Sequence, residues 1–167
     1  MIELQLTEKN RKYILLSIVC LIIGGIVIAK FMGKSQDEQF ANEDNLYAAT
    51  YSLVSEGKYT EANKYISGLL QAQPSSEAVN YLGSIVYANN GDYKQASILM
   101  QKAMDINPHN VENPMFMLQF GEVLLFSERY EDAKIVLTHC QESGWVPEEY
   151  PMYQQRVQEL LAYIETI

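Results

Sequence analysis

From Gly57 onward the chain repeats one short motif at a fixed spacing. The sequence Gly-Lys-Tyr-Thr-Glu-Ala at 57–62 recurs as Gly-Asp-Tyr-Lys-Gln-Ala at 91–96, thirty-four residues later. Pro74 and Pro108 keep the same spacing, and a third copy at 128–133 follows the second at thirty-seven. A period of this length with regular turn residues is typical of stacked helix–turn–helix units. The sequence therefore predicts an all-α solenoid of about three repeats.

The second copy is similar to the tetratricopeptide repeat family. It carries that family's pattern at Leu82-Gly83, Gly91-Asp92-Tyr93, Ala96, Ala103 and Pro108. Gly83 and Ala96 are small, as expected where the two helices of a repeat cross closely. Gly91 permits the turn between the helices, and Pro108 closes the second helix. The resemblance assigns the small or closing positions to Ala49, Ala62 and Pro74 in the first copy, and to Gly121 and Ala133 in the third.

The repeats are expected at 43–75, 76–110 and 114–147, within a repeat domain spanning 43–167. The second copy has one extra residue near 87–90, which leaves the phase of its first helix uncertain by one position. The third copy has no glycine at its turn. After it, residues 150–167 predict an amphipathic helix that caps the solenoid, with one apolar face formed by Tyr153, Val157, Leu160, Leu161 and Ile164.

Residues 13–29 contain no charged side chain. As a helix this run would be roughly 25 Å long, and with the residues up to 32 it could cross a bilayer core of about 30 Å. We predict a short tail at 1–12, a transmembrane helix at 13–32 and a linker at 33–42. A cleaved signal peptide needs small residues after the apolar run, and a lipoprotein needs them before Cys20. The sequence has neither, which favours an uncleaved signal anchor.

The flanking charges predict an orientation. Lys9, Arg11 and Lys12 precede the run, whereas Lys30 and Lys34 follow it. This bias favours a cytoplasmic N-terminus and a repeat domain outside the cytoplasm. The expected location is therefore single-pass in a membrane, with the bacterial cytoplasmic (inner) membrane favoured by a layout that resembles bacterial envelope proteins with repeat domains.

Small residues at four-residue spacing in this segment allow close helix packing in lipid. The candidate packing positions for helix–helix association in the membrane are Gly25, Ala29 and Gly33.

The charge is divided along the chain. Residues 1–34 hold five basic and two acidic side chains, whereas the remainder holds seven basic and nineteen acidic ones, a net charge of −12. So acidic a domain repels phosphate backbones, which argues against nucleic acid as a partner. Cys20 and Cys140 fall in the predicted membrane segment and on an apolar helix face, so both are expected to act as small apolar residues.

No catalytic motif is present, and we predict neither an enzyme nor a cofactor. The two histidines, His109 and His139, lie in a loop and near a helix end, with no spacing that suggests a metal site. The partner is expected to be a protein, presented as a helix or an extended segment.

In the family that the chain resembles, the first helix of each repeat lines a groove for a partner. The resemblance places that groove at Tyr47, Tyr51, Val54, Asn80, Ser84, Tyr87, Leu118, Glu122 and Leu125. No lysine or arginine is among these residues, so capture of an acidic peptide terminus is not expected. Aromatic and apolar contacts fit the composition better.

Two functions follow from this organisation. The first is a membrane-tethered scaffold or adaptor that uses the groove to recruit or hold a partner protein in envelope or membrane-complex assembly. The second is a structural accessory subunit of a larger membrane complex, packed through its transmembrane helix.

Overall fold

The computed structural model describes residues 21–23, 25–26 and 42–167. Contacts divide the chain into two units, Met1–Asp44 and Asn45–Ile167. In the first unit the described residues are all helical. No helix built from described residues combines the length and the apolar character needed to cross a bilayer. Most of the predicted transmembrane helix at 13–32 and nearly all of the linker at 33–42 lie outside the described residues.

Between residues 42 and 167 the structure contains seven α-helices and one 3-10 helix, and the predicted all-α fold class is confirmed there. The helices are α1 (42–55), α2 (Tyr59–Ala72), α3 (Glu77–Asn89), α4 (Tyr93–Ile106), α5 (Pro114–Phe126), α6 (Tyr130–Glu142) and α7 (Tyr153–Ile164), with the 3-10 helix at Pro108–Glu112. Pro74 and Pro108 each follow the end of the second helix of a repeat, as the sequence predicts.

Consecutive helices pack against each other through two apolar cores. The first core joins α2 to α3 through buried Ile66, Leu69 and Leu82, and α1 contributes partly buried residues to it. The second core extends from α4 to α7. Because each helix pair covers the apolar face of the next one, the repeats form one continuous stack, as expected for a helical solenoid.

The three turns within the repeats share one backbone geometry. Gly57, Gly91 and Glu128 all have positive φ, at 73°, 86° and 65°. After each of them an amide donates to a carbonyl five residues back, in the pairs Lys58–Leu53, Asp92–Tyr87 and Arg129–Leu124, at 2.8, 2.9 and 2.9 Å. This is the Schellman ending of a helix, which usually places glycine at the left-handed position. The third repeat therefore keeps the turn but builds it with a strained glutamate.

Small residues lie where the paired helices cross. Ala96 is fully buried. A Cβ on Gly83 would lie 3.1 Å from Leu99 Cδ1, and a Cβ on Gly121 would lie 2.6 Å from Leu137 Cδ2. The assignment of Ala49 to this role is wrong, because Ala49 is exposed.

Thr50 takes that place in the first repeat. It is fully buried, and its hydroxyl donates to the Leu46 carbonyl at 2.7 Å. The hydroxyl is satisfied inside its own helix, so Thr50 is buried without leaving an unpaired polar group.

Helix α7 covers the open end of the last pair. Tyr153, Val157 and Leu160 are buried, and the Tyr153 hydroxyl donates to the Pro114 carbonyl at 3.0 Å. Gln154 Nε2 donates to the carbonyls of Cys140 and Trp145 at 3.1 and 3.0 Å. The predicted capping helix is present and is fixed by both apolar and polar contacts.

Candidate partner-binding groove

Four of the predicted groove residues are buried. Asn80 and Ser84 in α3, and Leu118 and Leu125 in α5, have almost no exposed area. The Asn80 amide donates to the carbonyls of Pro74 and Ser76, and the two leucines belong to the second core. Of the four, Ser84 and Leu125 each line a cavity described below, whereas Asn80 and Leu118 line neither.

The remaining predicted residues keep some surface. Tyr51 is 58% exposed, and its ring lies 6.4 Å from that of Tyr47. Tyr47, Val54 and Tyr87 are half-buried against the first core. Burial raises the pKa of Tyr47, and the nearby Tyr51 and Glu77 raise it further. The tyrosine pair therefore combines packing with an exposed aromatic face.

A cavity of about 350 Å³ lies between α3 and α5. Its α3 side is formed by Ser84, Ile85, Ala88 and Asn89, and its α5 side by Gln119, Glu122, Val123 and Phe126. Tyr59, Tyr93 and Met100 complete the lining. We call this the α3/α5 cavity.

The walls of the α3/α5 cavity are notably aromatic. The rings of Tyr93 and Phe126 lie 5.1 Å apart with planes tilted by 38°, and Tyr59 contributes a third ring. Phe126 is 48% exposed although it is a large apolar side chain at the end of α5. The repeat motif predicts Tyr59, Tyr93 and Tyr130 as core residues. This prediction is wrong, because Tyr59 and Tyr93 are only half-buried and Tyr130 is exposed.

One seam between α3 and α5 is closed by a hydrogen bond. The Tyr81 hydroxyl donates to Gln119 Oε1 at 2.7 Å, and burial is the main cause of the raised pKa of Tyr81. Because the hydroxyl occupies the amide oxygen, Gln119 presents its Nε2 donor to other groups. The bond also fixes the two helices relative to each other beside the cavity.

Glu122 belongs to a three-residue charge network whose other members, Arg156 and Glu159, lie on α7 and do not line the α3/α5 cavity. Glu122 Oε1 accepts from both Arg156 Nε and Nη2 at 2.7 Å. Arg156 Nη1 also lies 3.7 Å from a Glu159 oxygen. Two carboxylates thus share one guanidinium, which leaves the network with a net charge of −1.

A second cavity of about 240 Å³ lies between α5 and α7. It is lined by Leu125, Phe126, Arg156, Glu159, Leu160 and Tyr163. Phe126 lines this α5/α7 cavity as well as the α3/α5 cavity, so the two adjoin at one ring.

The accessible face of α5 lies one residue beyond the predicted one. Gln119 and Phe126 line the cavity where Leu118 and Leu125 were expected, while Glu122 belongs to both sets. One residue turns a helix by about 100°, which is enough to exchange a core position for a surface one. The sequence signal for this accessible face is the pair of polar residues, Gln119 and Glu122, on an otherwise apolar helix.

The predicted membrane-packing positions, and the cysteine and histidines to which the sequence assigns no site, lie elsewhere. Gly25 is helical and exposed, whereas Ala29 and Gly33 lie outside the described residues. Cys140 is buried, and burial raises the pKa of its thiol. His139 Nε2 lies 3.4 Å from the Val111 carbonyl, and its ring meets Trp145 edge-on at 5.4 Å. His109 is exposed in the 3-10 helix.

Comparison with protein-family models and with curated proteins gave no match. Among solved structures, the chain is similar to the type III secretion translocator chaperone SycD of Yersinia enterocolitica, with a TM-score of 0.59 over 74% of this chain and 83% of SycD. SycD in complex with a peptide of the translocator YopD gives a TM-score of 0.58, and an alternative SycD dimer gives 0.57, each over 92% of SycD. The sequences are 20% identical in all three cases. This likeness shows an all-helical fold of the tetratricopeptide type.

Proposed function

We propose that the chain is a non-enzymatic, membrane-tethered scaffold that holds a segment of a partner protein against the first helices of its repeats. The observation that carries the proposal is the pair of adjoining cavities along α5, with the half-exposed Phe126 between them. Large aromatic side chains that stay accessible in a preformed groove are common binding anchors. SycD, with a similar fold, is described in complex with a peptide.

The tether rests on the uncharged run at 13–29 and its flanking charges. In this proposal the run anchors the chain in the bacterial cytoplasmic membrane, and the repeat domain lies outside the cytoplasm. The acidic repeat domain is repelled by anionic headgroups, so the tether would hold it near the membrane without pressing it onto the surface.

Site-specific cross-linking tests the groove. A photo-cross-linking phenylalanine analogue placed at Phe126 is expected to trap a partner in living cells at least about tenfold more efficiently than the same analogue at Ile135, since anchor residues of a groove lie in direct contact with the bound segment. Ile135 is the matched control because it is 68% exposed on α6 and lines neither cavity. Adducts are measured by immunoblotting and identified by mass spectrometry.

Equal adducts at 126 and 135 would contradict a groove-based function. Adducts formed only by analogues in the segment around Gly25 would favour the accessory-subunit function, in which the membrane helix makes the principal contact.

Cysteine labelling tests the tether. The Ser35→Cys chain is expected to react with a membrane-impermeant thiol reagent in intact cells, because the predicted orientation places residue 35 outside. The unmodified chain is the control, since its Cys140 is buried. Reaction of residue 35 only after lysis would show the opposite orientation. Extraction of the chain from membranes by alkaline carbonate would contradict the predicted transmembrane anchor.

A further inference from the structure

We propose that the α3/α5 cavity binds the side chain of a lysine or arginine, and that the partner segment carries an apolar residue beside it for the α5/α7 cavity. This inference rests on the proposed function and specifies the chemistry of its ligand. The juxtaposition of three aromatic rings with the Glu122 carboxylate in one cavity is the feature that carries it.

The rings supply the first part of the argument. Tyr59, Tyr93 and Phe126 line the same cavity, where the Tyr93 and Phe126 rings pack against each other with centroids 5.1 Å apart and together form one aromatic wall. The face of an aromatic ring carries partial negative charge, so a cation among several rings is attracted by all of them. Arginine gains further from stacking its planar group on a ring. An apolar side chain would fill the same space but would use only the contact area of the rings.

The charged and polar groups point to the same ligand. Of the residues lining the cavity, Glu122 is the one with a charge, and none is a lysine, arginine or histidine. Its network with Arg156 and Glu159 has one cation for two carboxylates. Asn89 uses its amide nitrogen to bind the Ile85 carbonyl at 2.9 Å, which leaves the amide oxygen as an acceptor at the rim. Beside the Gln119 amide donor, the cavity therefore offers two acceptors, the Glu122 carboxylate and the Asn89 amide oxygen, to an incoming cation.

The surrounding unit reinforces this preference. Residues 45–167 carry seven basic and fifteen acidic side chains, a net charge of −8. A field of this sign accelerates the approach of a basic segment and slows that of an acidic one. The electrostatic field at this groove is thus opposite in sign to the field of a groove that binds a carboxylate.

The adjoining α5/α7 cavity specifies the neighbouring residue of the partner. It shares Phe126 with the first cavity and adds the apolar side chains of Leu125 and Leu160, together with Tyr163. A partner segment that places its basic side chain on one side of the Phe126 ring can place an apolar side chain on the other side. The expected recognition element is a basic residue next to, or two residues from, a large apolar one.

The test uses the full-length chain in detergent and a random twelve-residue peptide library displayed on phage. Peptides selected against the chain are synthesised in pairs, one with the selected basic residue and one with norleucine in its place, and their affinities are measured by fluorescence anisotropy. We expect lysine or arginine beside a large apolar residue in the selected set. We expect the norleucine peptides to bind about tenfold more weakly.

Two variants separate a cation from an apolar occupant. Phe126→Leu keeps an apolar wall but removes the aromatic face, so it is expected to weaken the basic peptide about tenfold and the norleucine peptide by less than about threefold. Glu122→Gln is expected to weaken the basic peptide about fivefold. The matched control, Glu131→Gln, makes the same change of net charge on α6 and should change affinity by less than about twofold. Circular dichroism melts verify that each variant is folded.

Each outcome decides between the two levels of the proposal. Selected peptides that lack a basic residue but lose binding to a Phe126→Ala chain would overturn the cation site and leave the groove function intact. Peptides that bind the Phe126→Ala chain as tightly as the unmodified one would overturn both, and so would a selection that yields no peptide.

Discussion

Replacing Tyr153 with alanine is expected to lower the free energy of unfolding by about 3–5 kcal/mol, in the range of other large aromatic truncations in a core. Tyr153 is fully buried in α7 and meets Trp145 edge-on at 6.3 Å. Its hydroxyl bonds the Pro114 carbonyl, which is left without that donor when the ring is removed. Burial is the main cause that raises the pKa of this phenol above its ordinary value.

The control is the same substitution at Tyr163, nearer the C-terminal end of α7. Tyr163 is 54% exposed, and Tyr163→Ala is expected to cost less than about 1 kcal/mol. Urea unfolding followed by circular dichroism measures both. If the two variants unfolded at the same urea concentration, α7 would not be the packed cap that the structure shows.

Gly121→Ala is expected to destabilise the protein by about 1–3 kcal/mol, although alanine is the better helix former. The added Cβ would lie 2.6 Å from Leu137 Cδ2 and 2.7 Å from its Cγ. Leu137 is fully buried in α6 within the second core, so any shift of its side chain is resisted by the core residues around it. The two helices of the third repeat must therefore separate or repack.

Gly68→Ala is expected to change the stability in the opposite direction. Gly68 lies in α2, is exposed, and has no atom within 4 Å of an added Cβ. Here alanine is expected to stabilise by about 0.5–1 kcal/mol through its helix propensity. Thermal melts of the two variants should therefore move in opposite directions, and a loss of stability in both would show that helix propensity does not govern position 68.

The repeat period and the regularly spaced turn residues were enough to predict the helices and their pairing. The spacing of Gly57, Gly91 and the following alanines is imposed by the turn and by close helix crossing, and both constraints are local to a repeat. The cap was predictable for a related reason, because the amphipathic pattern around Tyr153 and Val157 has to bury one face.

The rotation of the helices about their axes was not predictable from the same pattern. The small crossing residue and the turn residue are eight positions apart in the second repeat, Gly83 to Gly91, but seven apart in the third, Gly121 to Glu128. A one-residue change in this spacing does not alter the overall repeat pattern, but it rotates the accessible face of the helix by about 100°. For that reason Ala49 was assigned in place of Thr50.

The candidate site is more sensitive to this rotation than the fold is. A one-residue shift in the phase of α5 still places apolar side chains in the core. The same shift replaces Leu125 with Phe126 in the lining of the α3/α5 cavity. The aromatic walls of the α3/α5 cavity also join residues from α2, α4 and α5, and no repeat motif specifies how far those helix ends lie from one another.

The position of Phe126 between two cavities affects how their ligands compete. A ring packed from one side has fewer rotamers left for contact on the other side, and only a small set of rotamers is accessible to it. Filling one cavity should therefore change the shape of the second, so that two small molecules, one for each cavity, would show binding curves that depend on each other's concentration. A single peptide that spans both cavities would restrict the Phe126 ring only once. Its binding free energy would therefore be more favourable than the sum for its two anchor side chains measured separately.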